Sequence, residues 1–328
     1  MAKVVIGIGT SHSPMISTPA EHWLDHSARD PHYPLFDSDG RRLDFAELAA
    51  SKGPALADKI SQAAMHEYLA RSEQALDEIR SAIAAAKPDV CLVIGDDQDE
   101  MFHHDNMPCF GIYYGSDILC KKPDMSKKAP ALHLSAWGYY TDEPTPFPAH
   151  PELALHLIKQ AMDKGFDVSA SATQPVGTGM SHAYTFLYRR LLNAAVPCVP
   201  VFINTYYPPN QPKIARVIEF GAALRNALAT FDDDCRVAVI ASGGLSHFLV
   251  DEALDRSVLE NCVKGDLNGL GALSEEALKS GNSEIKNWAA VASIMAPSTM
   301  KMIDYIPAYR SEAGTGCGLA FGIWRPVS

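Results

Sequence analysis

Short apolar runs along this chain alternate with longer stretches of helical periodicity. The apolar runs are rich in β-branched residues and bounded by Gly or Pro, which predicts strands. The predicted strands are Val4–Gly9, Val90–Gly95, Phe110–Tyr114, Val168–Ala172, Cys198–Asn204, Val237–Ser242 and Gly318–Trp324. The predicted helices are Leu56–Ala86, Pro151–Lys164, His182–Ala195, Lys213–Phe231, Ser274–Ser280 and Glu284–Ala296. This alternation predicts an α/β fold whose central sheet is mostly parallel and flanked by helices.

Two long stretches lack a clear period and interrupt this alternation. Residues 17–54 are polar and carry three histidines, and residues 121–148 are rich in Pro and aromatic side chains. Loops of this length inside a compact domain are usually functional, so we expect two loop insertions, one of them a lid. No linker divides the chain, which predicts a single domain over residues 1–328.

Composition narrows the class of protein. The chain has 328 residues, 47% of them hydrophobic, enough for a large core. Its formal net charge of −11 argues against a nucleic-acid surface, which needs basic patches. No run of about 18 apolar residues predicts a membrane span. The first residues lack the features of a signal peptide, so we expect a cytoplasmic location. The seven cysteines are scattered without a CxxC pair, which predicts reduced thiols.

Five polar positions form the candidate chemistry. His12, the Asp96–Gln98 segment and His247 each follow a predicted strand, and His182 and His247 each end a glycine-containing Ser-His motif. Glu284 opens a predicted helix. Taken singly, each has an ordinary structural interpretation: a loop histidine, a solvated acidic turn or a carboxylate at a helix start. The carboxyl ends of parallel strands share one edge of a sheet, however. Together these residues predict a metal site with an adjacent acid/base group.

Four more residues are candidates for substrate contact, each with a structural alternative. The segment YIPAYRSEAGTGCG carries Tyr309 and Arg310 and is predicted to be an irregular loop beside the sheet. Arg310 either packs there or pairs with a substrate carboxylate, which a guanidinium matches bidentately. Tyr206 either contacts an aromatic ring or packs. His150 either caps the following helix or lines the cleft.

The order and spacing of these motifs resemble one known superfamily over nearly the whole chain. The similar segments are GIGTSHSPM, KPDVCLVIGDDQ, AHPELALHL, SASATQPVGTGMSHAY, VPVFINTYYPP, VAVIASGGLSHF and SEIKNW. The superfamily is that of the class III extradiol ring-cleavage dioxygenases, to which the protocatechuate 4,5-dioxygenase β-subunit (LigB-like) belongs. Methylgallate-type dioxygenases are among its members.

The resemblance implies a mononuclear Fe(II) held by two histidines and one carboxylate, with open positions for substrate and O2. Carried over by position, His12 is the first histidine ligand and Glu284 the carboxylate. His247 is the acid/base residue. His182, a further catalytic candidate, and His150 match residues close to the substrate.

The second histidine ligand is where this sequence departs from the family. Relatives usually carry Asn-Asp-His where this chain has Asp96-Asp97-Gln98. Gln98 offers a neutral amide oxygen, and we expect it to ligate the metal through that atom. Alternatively His103, His104 or a histidine of residues 17–54 replaces it, or the site has lost iron.

The resemblance therefore implies an Fe(II)-dependent extradiol dioxygenase that opens the ring of a catecholic aromatic acid with O2. Gallate, methylgallate or protocatechuate types suit Arg310, which places the protein in aromatic and lignin degradation. The alternatives are a metal-altered member with a different reaction and a non-catalytic subunit that retains the fold. Relatives commonly form dimers, so we expect a homo-oligomer; some also bind a small helical partner subunit.

Overall fold

The computed structural model describes residues 1–192 and 196–326. Two small two-stranded sheets pair β2 (Leu35–Phe36) with β3 (Arg42–Leu43) and β6 (Asp117–Cys120) with β7 (Thr145–Pro148). The strands of the main sheet are β1 (Lys3–Thr10), β4 (Val90–Gly95), β5 (Phe110–Tyr113), β8 (Ser169–Ser171), β9 (Cys198–Ile203), β10 (Arg236–Ser242), β11 (Met300–Tyr309) and β12 (Gly316–Trp324). Within the described residues this sheet has eight strands in the order β11-β12-β1-β10-β4-β9-β5-β8.

The centre of the main sheet is parallel. β1, β10, β4 and β9 lie side by side and run in one direction. β12 pairs antiparallel with β1, and β11 with β12, while β5 is antiparallel to β9 and parallel to β8. The prediction of a mostly parallel α/β sheet is confirmed. All four central strands therefore end at the same edge, where ligands of such folds bind.

Helices cover both faces of the sheet. They are α1 (Phe45–Leu56), α2 (Gln62–Ala86), α3 (Pro130–Ser135), α4 (Pro151–Asp163), α5 (His182–Arg190), α6 (Ile214–Ala229), α7 (Glu252–Lys264), α8 (Leu267–Gly271) and α9 (Ile285–Met295). Strand residues alternate between two cores: in β4, Leu92 and Ile94 face α4, α6 and α9, whereas Cys91 and Val93 face α2 and α5. This alternation follows from the two-residue period of a strand.

Several element boundaries differ from the sequence expectation. The predicted helix Leu56–Ala86 begins later, at Gln62, because the side chain of Ser61 caps α2 by accepting from the Ala64 amide; Leu56 ends α1, and Asp58–Ile60 form a 3-10 turn. No α-helix spans 274–280, where residues 275–278 form turns and Ser280 begins a 3-10 helix. β11 and α7 were not predicted. The predicted end of helix His182–Ala195 at residues 193–195 lies outside the described residues.

The two predicted loop insertions are largely ordered structure. Residues 17–54 hold a 3-10 helix, Ala20–His32, followed by β2, β3 and most of α1. Trp23 anchors the 3-10 helix, because its ring is fully buried and its Nε1 donates to Thr18 O at 3.0 Å. Residues 121–148 hold α3, two short 3-10 turns and β7. The expectation of irregular loops was wrong for both segments.

None of the helices in the described residues is both long and apolar enough to cross a membrane. The seven cysteines carry free thiols, and all but Cys109 are buried.

Candidate active site

The shared edge of the central strands brings the predicted residues together. His12 lies just past β1, Gln98 past β4 and His247 past β10, and Glu284 directly precedes α9. All four line one cavity of about 390 Å³, together with His182 at the start of α5. The structure thus brings five of the predicted residues, from distant segments, to one cavity.

Glu284 lies at the centre of the polar cluster. Its Oε2 accepts from the Gly244 amide at 2.7 Å and is 3.8 Å from His12 Nε2. Its Oε1 is 3.2 Å from His247 Nε2. Burial raises the pKa of this carboxyl, but the nearby His247 and His12 have the larger opposite effect and bring it down to about 2. Glu284 is therefore ionised and faces two imidazoles.

His12 presents an unprotonated nitrogen to that carboxylate. The Ser242 hydroxyl donates to Ala183 O at 2.6 Å, so its oxygen accepts from His12 Nδ1 at 2.9 Å. Burial lowers the pKa of His12 to about 4, so the ring is neutral and the proton sits on Nδ1. The Nε2 lone pair and a carboxylate oxygen of Glu284 thus face each other with no proton between them. A cation between two such acceptors satisfies both.

His247 is in the opposite protonation state. Its Nδ1 donates to Leu245 O at 2.9 Å, and its Nε2 donates to Glu284. Burial lowers the pKa of His247, but the neighbouring Glu284 carboxylate outweighs this and raises it well above its usual value. The Asn282 side chain accepts from the His247 amide at 2.9 Å and holds the backbone in place. His247 is a protonated imidazole that lines the cavity.

Gln98 lies between two carboxylates. Its Nε2 is 2.9 Å from Asp96 Oδ2 and 3.5 Å from Glu284 Oε1. The amide nitrogen, rather than the oxygen, faces Glu284 because both neighbours are acceptors. Burial, and then Glu284, raise the pKa of Asp96 to about 7. The Asn287 amide donates to Asp96 Oδ1 at 3.2 Å, while its own buried oxygen has no partner among the described residues.

His182 is bound by a carboxylate of its own. Its Nδ1 is 2.6 Å from Glu100 Oε2, and Tyr140 donates to Glu100 Oε1 at 3.0 Å. Burial lowers the pKa of His182, but Glu100 raises it more strongly, to about 9. Burial raises the pKa of Glu100, and His182 brings it down to about 2. The ring of His182 meets that of His12 edge-on, with centroids 4.8 Å apart.

The two ordered insertions form much of the cavity wall. From residues 17–54 come Asp25, His26, Arg29 and Tyr33, and Tyr33 stacks on Phe248 at a centroid distance of 4.0 Å. Residues 121–148 contribute Pro123, Met125, Lys128, Ala129, Ala131, Leu132, Ser135, Tyr139 and Tyr140. The insertions therefore shape the space that a ligand would occupy.

The predicted substrate residues divide into two groups. Tyr206 and Arg310 line the cavity. Arg310, however, already pairs bidentately with the buried Asp30, through Nε at 2.9 Å and Nη2 at 2.6 Å. Tyr309 points away, and its hydroxyl donates to Glu252 at 2.8 Å. The reason is strand parity, since residues 309 and 310 are consecutive and point to opposite sides.

Of the remaining histidine candidates, His26 lines the cavity, whereas His150, His103 and His104 do not. His150 caps α4, with Nδ1 accepting from the Leu153 amide at 3.2 Å, as its structural alternative anticipated. His103 is exposed and pairs with Asp99 at 2.7 Å. His104 is likewise absent from the cavity wall. Of the histidines in residues 17–54, His26 is the one that lines it.

Sequence reasoning missed several residues that support the site. Ser242, Asn287, Tyr139 and Asp30 carry no motif that marks them before the fold is known. Glu100 was visible in the acidic cluster after β4, but its link to His182 spans 82 positions along the chain. Tyr139 donates to His12 O at 2.5 Å, from an insertion that had no predicted structure.

The donor set fits a metal ion only in part. In the described ranges, no group of three or more His, Cys, Asp or Glu side chains is arranged to hold one. His12 and Glu284 do fit, since an unprotonated imidazole nitrogen and a carboxylate are ligands that divalent transition metals accept. A third protein ligand has to come from another residue type; Gln98 lies 3.5 Å from Glu284 and lines the same cavity.

Several known proteins are similar to this chain in sequence or structure. A 2,3-dihydroxyphenylpropionate/2,3-dihydroxicinnamic acid 1,2-dioxygenase from Comamonas testosteroni is 29% identical over 177 residues, covering 53% of this chain and 48% of that protein. The enzyme of the same name from Mycobacterium sp. (strain MCS) is 30% identical over 183 residues, covering 54% and 51%. The chain thus spans about half the length of these relatives. The solved structure of an uncharacterized protein from Escherichia coli K12 superposes with a TM-score of 0.43 at 13% identity, covering 75% of this chain and 91% of that chain.

The family comparison covers more of the chain. Residues 48–313 match the family model described as the catalytic LigB subunit of aromatic ring-opening dioxygenase. This match includes Gln98, His182, His247 and Glu284. The chain therefore belongs to the LigB family of aromatic ring-opening dioxygenase catalytic subunits.

Proposed function

We propose that this protein is an extradiol dioxygenase that uses ferrous iron and O2 to open the ring of a catecholic aromatic acid. The observation that carries the proposal is the arrangement of His12, Glu284 and His247 in one cavity. An unprotonated imidazole nitrogen faces a carboxylate at 3.8 Å, and a protonated imidazole binds that carboxylate at 3.2 Å. Membership of the LigB family supports the same reaction.

The proposed metal ligands are His12 Nε2 and a Glu284 carboxylate oxygen, with the Gln98 amide oxygen as the third. Iron bound there supplies open positions for the two substrate oxygens and for O2, and a path for electron density from the ring to O2. Ser242 fixes the tautomer of His12, as ligating histidines require. Gly244 holds Glu284 through its amide. Gln98 has to turn its amide, since the nitrogen now faces Glu284.

His247 is the proposed acid/base group. Its Nε2 is the nitrogen that moves a proton, because Nδ1 is bound to the Leu245 carbonyl. The protonated His247 can donate its Nε2 proton to the oxygen displaced when the ring opens. The neutral imidazole that results can then accept a proton from a hydroxyl of the next catechol.

The substrate class follows from the size and charge of the cavity. At about 390 Å³ it has room for a substituent on a catechol ring. Arg29 and Lys128 line the wall and could pair with an acidic substituent, although Asp25 and Glu100 line the same cavity. Arg310 is less able to bind a substrate carboxylate than the sequence suggested, because its Nε and Nη2 already bind Asp30. The named substrates of the similar enzymes are also acids, which supports this assignment.

A second candidate is a family member with a different metal and reaction. The observation that favours it is Gln98, a neutral residue where relatives usually carry a histidine ligand. Iron loading followed by turnover separates the two candidates.

The test is anaerobic loading with Fe(II), followed by O2 uptake with 2,3-dihydroxyphenylpropionate, protocatechuate and gallate. We expect one O2 consumed per substrate and a yellow ring-opened product. His247→Ala is expected to retain iron but lose most turnover, by about 10²-fold or more, the usual contribution of an acid/base group. Glu284→Ala is expected to lose iron, measured by metal analysis. An iron-loaded protein that consumes no O2 with any of these compounds contradicts the proposal.

A further inference from the structure

Glu100 is a carboxylate that the proposed reaction does not use. It lines the cavity beside His182 and Tyr140. Its Oε2 accepts from two groups of His182, the backbone N–H at 2.9 Å and the ring Nδ1 at 2.6 Å. Its Oε1 accepts from the Tyr140 hydroxyl at 3.0 Å. Both oxygens are therefore occupied from inside the protein.

This arrangement determines which nitrogen of His182 faces a ligand. Oε2 of Glu100 already accepts from the His182 backbone N–H and Oε1 accepts from Tyr140, so the contact at 2.6 Å is one in which His182 Nδ1 is the donor. The His182 backbone N–H also binds Oε2 and holds the carboxylate in place. A flip of the imidazole ring would therefore break the bond between Nδ1 and Oε2. Nε2 has no hydrogen-bond partner among the described residues. It is the nitrogen left for a molecule in the cavity.

Further contacts hold the same ring. His12 meets His182 edge-on at 4.8 Å, and Tyr139 does so at 5.7 Å. Tyr139 and Tyr140 both come from residues 121–148, one of the two segments that form the cavity wall. Glu100 thus joins the strand edge after β4, the start of α5 and this segment in one hydrogen-bonded unit.

We propose that Glu100 is a positioning residue that anchors Nδ1 of His182 and fixes the orientation of its ring, so that His182 Nε2 meets an oxygen of the bound substrate. This inference rests on the proposed function for the identity of the ligand. The hydrogen bond itself does not depend on it. The experiment below therefore has one readout without turnover and one with it.

The first readout is the low-field proton NMR spectrum of the full-length protein prepared without metal. A short imidazole–carboxylate hydrogen bond gives a shifted Nδ1 proton resonance. We expect this resonance in the wild type, its loss in His182→Asn, which assigns it, and its loss or upfield shift in Glu100→Gln. The matched control is Glu252→Gln, because Glu252 also accepts from a tyrosine hydroxyl, that of Tyr309 at 2.8 Å, outside the cavity. A resonance unchanged in Glu100→Gln overturns the proposal.

The second readout is a double-mutant cycle on kcat and on anaerobic substrate affinity. Glu100→Gln keeps the shape of the side chain and removes its charge. We expect it to lower kcat about tenfold, a fraction of the usual acid/base contribution, with less than threefold change in the anaerobic Kd. In a His182→Asn background the same change is expected to have no further effect, because Glu100 acts through His182.

The outcomes separate a positioning role from a structural one. A purely structural Glu100 would lower Tm and iron content, and its effect would add to that of His182→Asn; either result overturns the proposal. Should iron-loaded wild type show no turnover, the proposed function fails, while the NMR comparison still decides whether Glu100 holds His182.

Discussion

Three histidines line one cavity and differ in protonation because their hydrogen-bond partners differ. His12 binds the hydroxyl of Ser242 and is neutral. His182 and His247 each bind a buried carboxylate and are cationic. The partner, rather than the burial common to all three, determines the charge. The cavity thus combines a neutral nitrogen suited to a metal with two groups that hold protons.

A fourth cavity histidine, His26, makes stability depend on pH. Burial, and then the nearby Arg310, lower the pKa of His26 from 6.5 to about 4. Because the unfolded chain takes up this proton first, the folded state loses stability as pH falls from 6.5 towards 4. The His26→Gln variant can keep the hydrogen bond to Thr18 Oγ1. We expect its free energy of unfolding to fall by about 2 kcal/mol less than that of the wild type between pH 7 and pH 5.

Urea unfolding of the metal-free protein at the two pH values measures this difference. The control is His22→Gln, which removes an exposed histidine of the same 3-10 helix, and it is expected to keep the wild-type dependence on pH. Equal losses in wild type and His26→Gln would show that His26 protonates freely in the folded protein.

Sequence motifs marked the residues that share the cavity, but sequence carried no sign of the partners that some candidate residues bind. His12, Gln98, His182, His247 and Glu284 were all placed near one another from strand ends and glycine motifs. Arg310 was assigned to a substrate carboxylate, but Asp30 takes its bidentate edge. Asp30 lies 280 positions away along the chain, so local sequence carries no sign of the pair.

At the scale of elements, β1 and α9 are coupled through a single glycine. A Cβ added to Gly9 would lie against the ring of Trp288, with three ring atoms closer than 3.0 Å. Trp288 belongs to α9, and its Nε1 donates to Gly243 O at 2.9 Å. The close approach of strand and helix sets the position of Glu284, just before α9.

Gly9→Ala is therefore expected to displace α9 and weaken the candidate metal site. Overpacking of this kind costs about 1–3 kcal/mol of unfolding free energy. We also expect lower iron content after anaerobic loading. The control is Gly111→Ala in β5, where the nearest atom to an added Cβ is 3.6 Å away, an ordinary contact. Urea unfolding and metal analysis measure both effects. Wild-type stability and iron content in Gly9→Ala would contradict this coupling.

The central strands could be predicted because they are buried on both faces and form continuous apolar runs. β4 and β9 are fully buried along their length and were found almost to the residue. β11 is an edge strand, with exposed Lys301 and Met302 and a proline, Pro307, that edge strands tolerate. Its mixed pattern resembles a loop. Likewise the short 3-10 helices of the insertions depend on tertiary anchors such as Trp23, which periodicity does not reveal.

For the whole molecule, the candidate ligands join the two ends of the chain. His12 follows the first strand, and Glu284 follows the turns after α8. A metal bound by both therefore stabilises the folded state and not the unfolded one, by about 2.7 kcal/mol at a concentration of 100 times Kd. We expect anaerobic Fe(II) to raise the Tm of the wild type and to have no effect on Glu284→Gln.

Glu252→Gln serves as the control, since Glu252 lies outside the cavity and is expected to keep the full rise in Tm. A rise of equal size in Glu284→Gln would place the iron elsewhere in the protein. This measurement needs no turnover and so tests the ligands independently of the reaction.

The stacking of Tyr33 on Phe248 places the wall built by residues 17–54 directly beside His247. His12, Gln98 and His247 stand on the sheet edge, whereas residues 17–54 and 121–148 form much of the wall. If the proposed function holds, exchange of those two segments would change which substituted ring fits, while the candidate ligands and His247 stayed in place.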